Sequence, residues 1–417
     1  MQFIADLHIH SHFSRATSHD MLIPRITESA KLKGITLLGT GDFTHPKWLE
    51  MLKKDLKPTG NGFFTYKDIY FVLATEVNNI YTKNAKLRRI HNIIFSPDFS
   101  DVEKINKFLT KYGNLASDGR PMLSLDSYKM LAEIKELSPK SFLVPSHIWT
   151  PWFSLYGSNS GFDSIKDCFG DLTKEIVALE TGLSSDPAMN WRLSELDSFS
   201  LVSNSDAHSP SRLGREANVF DCKLSFNEIR DVLKTKDKKR FLYTIEFFPE
   251  EGKYHYDGHR NCKVRLSPKQ SLLNNDLCPV CGRRLTIGVL HRVESLADRK
   301  EGFIPENAIP YKNLVPLEEI IANALGVGRD TVAVQTKYES LVKNLGGEFN
   351  VLLSASVEDI KQYTDERIAL GIDKMRRGEV TVLPGYDGVF GTIKIFSDEE
   401  KETAVQEKVT GEQMSLF

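Results

Sequence analysis

The sequence predicts a large α/β domain in which strands alternate with helices, followed by a cysteine-rich module and a mostly helical C-terminal region. Three observations carry this reading. Apolar runs of strand length recur through about residue 247, with amphipathic segments between most of them. Near residue 249 the pattern gives way to PEEGKYHYDGHRNC, which opens a window holding three of the five Cys. From about Pro316 the apolar spacing becomes helical.

The strand-like runs, in order, are FIADL, ITLLGT, IYFVLAT, HNIIF, SFLVPS, EIVALE and FSLVSNS. Between them, residues 23–33, 101–112 and 124–137 space their apolar side chains as a helix with one buried face does. Such alternation builds a parallel barrel or an open sheet. Ser356, with Asp359 three residues on, resembles an N-terminal cap and predicts a helical segment reaching Arg377. A PGYDG turn then leads into the strand-like TIKIF, and the polar stretch SDEEKETAVQEKVTGEQMSLF reads as a mobile tail. The expected division is 1–248, 249–300, 301–397 and a tail at 398–417.

The chain has 417 residues, enough for two or three domains at roughly 150 residues each. Lys and Arg total 54 against 56 Asp and Glu, so any nucleic-acid binding must come from a local basic surface. No apolar run is long enough to span a membrane, and no membrane partner is expected. An odd number of Cys suits a reducing cytosol better than a disulfide framework, and a cytoplasmic location is expected.

Histidines crowd the first half of the chain: His8, His10, His12, His19, His45, His91, His147 and His208. In Asp6-Leu-His8-Ile-His10 the two imidazoles at i and i+2 of a strand point to one side and can share a metal. At the ends of later runs sit Asp42 and His45, Glu76, His91, His147, and Asp206 with His208. Side chains from C-terminal strand ends converge on one pocket in α/β barrels. Imidazole with carboxylate suits Zn, Mn or Fe, and a carboxylate bridging two metals is a common phosphoryl-transfer arrangement.

The segments DLHIH, GDFTH, ATEVN, RRIHNI, VPSHIW and SNSDAH resemble the successive motifs of the PHP (polymerase and histidinol phosphatase) superfamily over roughly the first 220 residues. The resemblance implies a distorted seven-stranded β/α barrel and a metal-dependent phosphoesterase with up to three metals. Carried over by position, His8, His10 and Asp206 bind one metal, and Glu76 bridges it to a second held by His91 and His147. Asp42 and His208 belong to a third. Many members have Asp-His where this chain has Asp42-Phe43, and His19 lies farther from His10 than usual, so whether His19 and His45 are ligands stays open. Glu180 is either a residue orienting an imidazole or a salt-bridged strand end. The implied mechanism is attack on phosphorus by a metal-activated water, with Asp42, Glu76 and Asp206 in the catalytic set. Arg15, Arg212 and Arg215 are candidates to clamp the phosphate, Arg15 also counting as catalytic.

His259-x-x-Cys262 and Cys278-x-x-Cys281 have the spacing of a closed, structural zinc site, with His255 or His291 as alternatives to His259. Arg260, Lys263, Arg265, Lys269, Arg283, Arg284, Arg292, Arg299 and Lys300 give this stretch a basic character suited to a phosphate backbone. A PHP barrel followed by YHYDGHRNC, CPVCGRRL, TIGVLHRVESLADR and a helical C-terminal domain resembles the endonuclease Q family across essentially the whole chain. That resemblance implies nicking of double- or single-stranded DNA on the 5′ side of a deaminated base (uracil, hypoxanthine, xanthine) or an abasic site. It implies Zn in the module and in the PHP site, with Mg or Mn as alternative activating metals, and a C-terminal domain that binds DNA. Trp149, Trp152, Phe153 and Tyr156, just after His147, either stack on an extruded base or pack a long loop. The terminal Gln413-Met-Ser-Leu416-Phe417 is similar to the peptide by which DNA-processing proteins dock on the bacterial sliding clamp. The competing expectations are a small-molecule phosphatase of the histidinol-phosphate type and a non-catalytic, zinc-stabilised DNA-binding adaptor.

Overall fold

In the computed structural model, which describes residues 1–397 and residue 400, the strand Gln2–Asp6 lies inside an eleven-stranded mixed sheet. It pairs in parallel with Leu37–Gly39 and antiparallel with Ala217–Asp221. Leu37–Gly39 continues in parallel to Ile69–Lys83, which pairs in turn with Lys86–Ser96, itself paired with Phe142–Pro145. The parallel pair Ala178–Glu180 and Ser200–Val202 forms a separate two-stranded sheet. A parallel bridge between Ile9 and Ala207 brings the end of this last strand back to the first. All seven apolar runs therefore contain strands.

The pairing joins eleven strands into one sheet, which is mixed where an all-parallel arrangement was expected. Lys57–Pro58, Phe64–Tyr66, Phe241–Glu246 and Tyr311–Asn313 extend its path. The expectation of parallel neighbours also fails at Ile69–Lys83 and Lys86–Ser96, a long antiparallel hairpin. Asn84 and Ala85 close it with φ of 52° and 57°. Two consecutive left-handed residues match the twist of the flanking strands.

Helices Ile23–Lys33, Phe99–Leu109 and Ser127–Leu137 fall where the apolar spacing places them. Asp98 and Asp126 cap the latter two by accepting backbone N–H groups of Asp101 and Tyr128. The segment expected to run from Ser356 to Arg377 is broken. Ser356 does cap Val357–Lys361, but Asp365 adopts an extended backbone and a second helix, Glu366–Arg376, begins after it. Thr and Asp favour such an interruption because their short polar side chains compete with the helical backbone.

Tyr311–Asn313, beyond the boundary expected at residue 300, joins the sheet as an edge strand beside Phe241–Glu246. The C-terminal helices also dock on the first helix. Lys33 Nζ donates to Glu348 Oε2 at 2.8 Å, and that carboxylate further accepts from Tyr338 Oη at 2.8 Å and the Leu317 N–H at 3.1 Å. No helix among the described residues is long and apolar enough to cross a membrane. Gln413, Leu416 and Phe417 lie outside the described residues.

Candidate metal centre

The strand ends deliver two groups of potential ligands that share one residue. His8, His10, Glu76 and Asp206 place one donor atom each within 4.8 Å of one another, and Glu76, His91 and His147 do the same. Glu76 faces both. Its Oε1 lies 2.8 Å from His91 Nδ1 and 2.9 Å from His147 Nε2, and its Oε2 lies 3.4 Å from His10 Nε2 and 3.7 Å from His8 Nε2.

The outward nitrogens are fixed by carboxylates behind them. His8 Nδ1 donates to Glu180, 3.0 and 3.1 Å from its two oxygens, which turns Nε2 toward the cluster. Glu180 also accepts from the His147 backbone N–H at 2.8 Å and from Asn204 Nδ2 at 2.8 Å, so one buried carboxylate holds ligands of both groups. Thr150 Oγ1 lies 3.0 Å from His147 Nδ1. Asp6 ties down the loop that carries Asp206, accepting from the Ser205 N–H and hydroxyl and the Gly214 N–H. Burial pushes the Asp6 carboxyl up to about 6.

His8 Nε2, His10 Nε2 and Asp206 Oδ1 are fully buried, and although His10 Nε2 and Asp206 Oδ1 stand 3.0 Å apart, none of the three has hydrogen-bond geometry to a partner among the described residues. Buried polar atoms are otherwise satisfied almost everywhere in folded proteins. Three orphans aimed at one point have the chemistry of ligands, so the residues fit a metal. Burial opposes charge on these imidazoles, but Glu180 and Glu76 hold His8, and Asp42 and Asp206 hold His10, well above the ordinary range. Burial likewise opposes ionisation of Glu76, yet His91, Arg120 and His8 hold it well below the usual carboxylate range. Burial pushes the His91 imidazole down to about 4 despite Glu76, leaving it neutral. Asp42, His147 and Asp206 adopt positive φ of 51°, 29° and 47°, backbone conformations that non-Gly residues sustain only where their surroundings enforce them.

The geometry places the remaining expected positions around these groups. Asp42 is not in either donor group. Its Oδ1 accepts from His10 Nδ1 at 3.0 Å and its Oδ2 accepts from the Ser11 N–H and from the Ser11 and Ser14 hydroxyls, so it orients a ligand. His208 stands with its ring 4.6 Å from that of His10 but outside both groups. His19 is exposed, and His45 precedes the helix Pro46–Asp55 with its ring stacked on Phe13. Trp149 and Tyr156 are core residues, stacked on each other at 5.0 Å with their polar ends on Asn190 and Glu195. Phe153 lies 5.2 Å from the His91 ring, and Trp152 is exposed with its edge to Tyr254. Arg15 is exposed and 3.6 Å from Asp118. Arg212 turns to Glu319, and Arg215 donates to the carbonyls of Ser205 and Asp206.

The reading from sequence did not find Arg120, whose Nη1 donates to Glu76 Oε2 at 3.0 Å. It sits in a loop with no motif around it, and no periodic signal marks it.

A third donor group is formed by His259, Cys262, Cys278 and Cys281. His259 Nδ1 lies 3.4 Å from Cys281 Sγ. The backbone N–H groups of Cys281 and Val280 offset the penalty of burial and bring the Cys278 thiol down to about 6. The two alternative histidines are elsewhere: His291 Nδ1 pairs with Asp257 at 2.7 Å, and His255 is buried beside Tyr256. Of the basic stretch, Arg292 and Arg299 are spent on pinning the module to the α/β domain. Arg292 binds Asp163 and the carbonyls of Tyr156 and Phe162, and Arg299 binds Asp197. Lys263, Arg283 and Arg284 are exposed.

Fold and donor sets define an α/β protein with clustered metal-ligand side chains at its strand ends and a separate Cys/His group beyond them. A family model described as the MJ0043 C-terminal domain matches residues 316–379. The chain is 35% identical over 270 residues to the uncharacterized protein MJ0043 of Methanocaldococcus jannaschii, an alignment that takes in 63% of this chain and spans a third (33%) of that protein's length. The crystal structure of the lesion-specific endonuclease PfuEndoQ from Pyrococcus furiosus is similar with a TM-score of 0.85 and 35% identity, over 94% of this chain and 95% of that one. Endonuclease Q in complex with a 27-mer duplex bearing an abasic lesion at the active site gives a TM-score of 0.84 at 35% identity, over 96% and 98% of the two chains. The chain belongs to the endonuclease Q family.

Proposed function

We propose that this protein is a DNA repair endonuclease that hydrolyses the phosphodiester 5′ of a deaminated base (uracil, hypoxanthine or xanthine) or an abasic site. The observation that carries the reading is the pair of donor groups sharing Glu76, with three buried donor atoms left without hydrogen bonds. Membership of a family whose solved members are a lesion-specific endonuclease and its complex with abasic duplex supports the substrate. In this reading the strands listed above from Gln2–Asp6 to Ser200–Val202 form a distorted seven-stranded PHP barrel, and the flanking strands are additions to it.

His8, His10, Glu76 and Asp206 would hold one metal ion, and Glu76, His91 and His147 a second; Zn, Mn or Fe suit this mix of imidazole and carboxylate. When bound, the metals supply water that ionises near neutral pH and positive charge beside phosphoryl oxygens. The chain's part is positioning. Glu180 and Asp42 fix the tautomers of His8 and His10, Thr150 orients His147, and Asp6 with Arg215 sets the backbone of Asp206. Phe153 beside His91, and the exposed Trp152, present aromatic surface for the bases around the lesion. Deamination replaces an amino donor with a carbonyl acceptor beside a ring N–H, so a pocket offering a donor and an adjacent acceptor accepts these bases and is left unpaired by cytosine or adenine.

His259, Cys262, Cys278 and Cys281 would hold a structural zinc, with Lys263, Arg283 and Arg284 free to meet a phosphate backbone. Cys278→Ser is expected to lower the zinc content by one per chain and to expose residues 257–285 to proteolysis, as measured by elemental analysis and limited digestion. The C-terminal helices would close over DNA with this module, and Gln413, Leu416 and Phe417 would dock on a sliding clamp.

The function is tested with end-labelled duplexes carrying one uracil, hypoxanthine, abasic site or normal base. A nick immediately 5′ of each lesion, and none in the normal duplex, is expected. Intact DNA combined with phosphate release from a small phosphomonoester would reassign the centre to a phosphatase.

A further inference from the structure

Arg120 is placed by a loop built closely around the metal centre. The Gly119 N–H donates to the Phe13 carbonyl at 3.0 Å, the Arg120 N–H to Asp118 Oδ1 at 3.0 Å, and the Pro121 carbonyl accepts from the Asn78 N–H at 3.0 Å. A Cβ on Gly119 would come within 2.3 Å of Asp42 Oδ2 and Ser14 Oγ. Only a glycine lets this backbone approach the carboxylate that orients His10. The next residue is thereby held against Glu76.

Its guanidinium is only partly used. Nη1 donates to Glu76 Oε2 at 3.0 Å, whereas Nε and Nη2 make no hydrogen bond among the described residues. Arg215, Arg292 and Arg299 differ, with two or three hydrogen bonds each to carbonyls and carboxylates. The Arg120 side chain is 26% exposed although the carboxylate it grips is fully buried, so the side chain that carries this free edge runs between solvent and the centre. Arg15 is turned to solvent and Arg212 to Glu319.

We propose that Arg120 is a further catalytic residue, donating from this free edge to a non-bridging oxygen of the scissile phosphate while Glu76 holds it in place. The proposal rests on the phosphodiesterase reading. In that reaction a water oxygen forms a bond to phosphorus and loses its proton to solvent. The bond from phosphorus to the leaving sugar oxygen breaks with its electron pair on that oxygen, which takes up a proton. Negative charge grows on the non-bridging oxygens meanwhile, and a planar cation already anchored on one edge stabilises it without reorganising.

The test uses the full chain under single-turnover conditions on abasic duplex, with Rp and Sp phosphorothioates at the scissile position and metal content measured in parallel. Arg120→Ala is expected to slow nicking on the order of 10²–10³-fold with unchanged metal content. The sulfur substitution that most slows the wild type is expected to slow the variant much less, and Arg120→Lys is expected to recover part of the rate. An Arg120→Ala rate within about threefold of wild type would overturn the proposal, as would equal sulfur effects in both proteins. Loss of metal from the variant would also overturn it, by making Arg120 a positioning residue for Glu76. A wild-type protein that nicks neither lesion nor normal duplex refutes the phosphodiesterase reading itself, and the wild-type reaction alone identifies that case.

Discussion

Glu76→Gln is expected to lower lesion nicking by at least about 10³-fold and to deplete metal from both donor groups at once. The substitution keeps the shape of the side chain and removes the charge that faces His8 and His10 on one side and His91 and His147 on the other. No other residue belongs to both groups. Glu180→Gln, which disturbs ligand orientation without removing a ligand, is expected to cost only about 10–100-fold. Elemental analysis with single-turnover nicking checks the ordering. Equal effects of the two substitutions would mean that Glu76 does not bridge.

Lys33→Met is expected to destabilise the chain by about 3–5 kcal/mol, the cost of leaving a buried charge without its partner. Lys33 and Glu348 are both buried, 2.8 Å apart, and join the first helix of the α/β domain to the C-terminal helices. Burial alone would raise the Glu348 carboxyl. Lys33, the Leu317 N–H and the Tyr338 hydroxyl outweigh it and hold the group below its ordinary 4.5. A carboxyl with a depressed folded-state pKa contributes stability that is complete above the unfolded value and is lost as pH falls through the folded one. Urea unfolding should therefore show a wild type that weakens below about pH 4.5 and a Lys33→Met variant with a smaller acid loss. An unchanged midpoint at pH 7 would show that the junction does not depend on this pair.

What the sequence made legible was whatever follows from local periodicity. The i, i+2 rule put His8 and His10 on one side of a strand, and both belong to one donor group. The spacing of His259-x-x-Cys262 and Cys278-x-x-Cys281 marked the third donor group, and the structure brings these four together rather than His255 or His291. Arg120 and the second contact of Glu180, to the His147 backbone N–H, stayed hidden because they depend on contacts far along the chain and not on spacing. Asp42 was read by its place after a strand, but its left-handed backbone turns it behind His10. The aromatic run after His147 looked uniform in sequence, yet one pair, Trp149 and Tyr156, packs the core while Trp152 stays exposed. Apolar surface alone does not say which ring meets solvent.

In the proposed reaction, metal ions held around Glu76 cut DNA beside a lesion. The most direct measurement strips the full-length protein with chelator, then titrates Mn or Zn back while following nicking of an end-labelled abasic duplex. No cleavage by the stripped protein is expected, with recovery as the centre fills and every cut on the 5′ side of the lesion. Undiminished cleavage by protein shown to be metal-free would contradict that reaction.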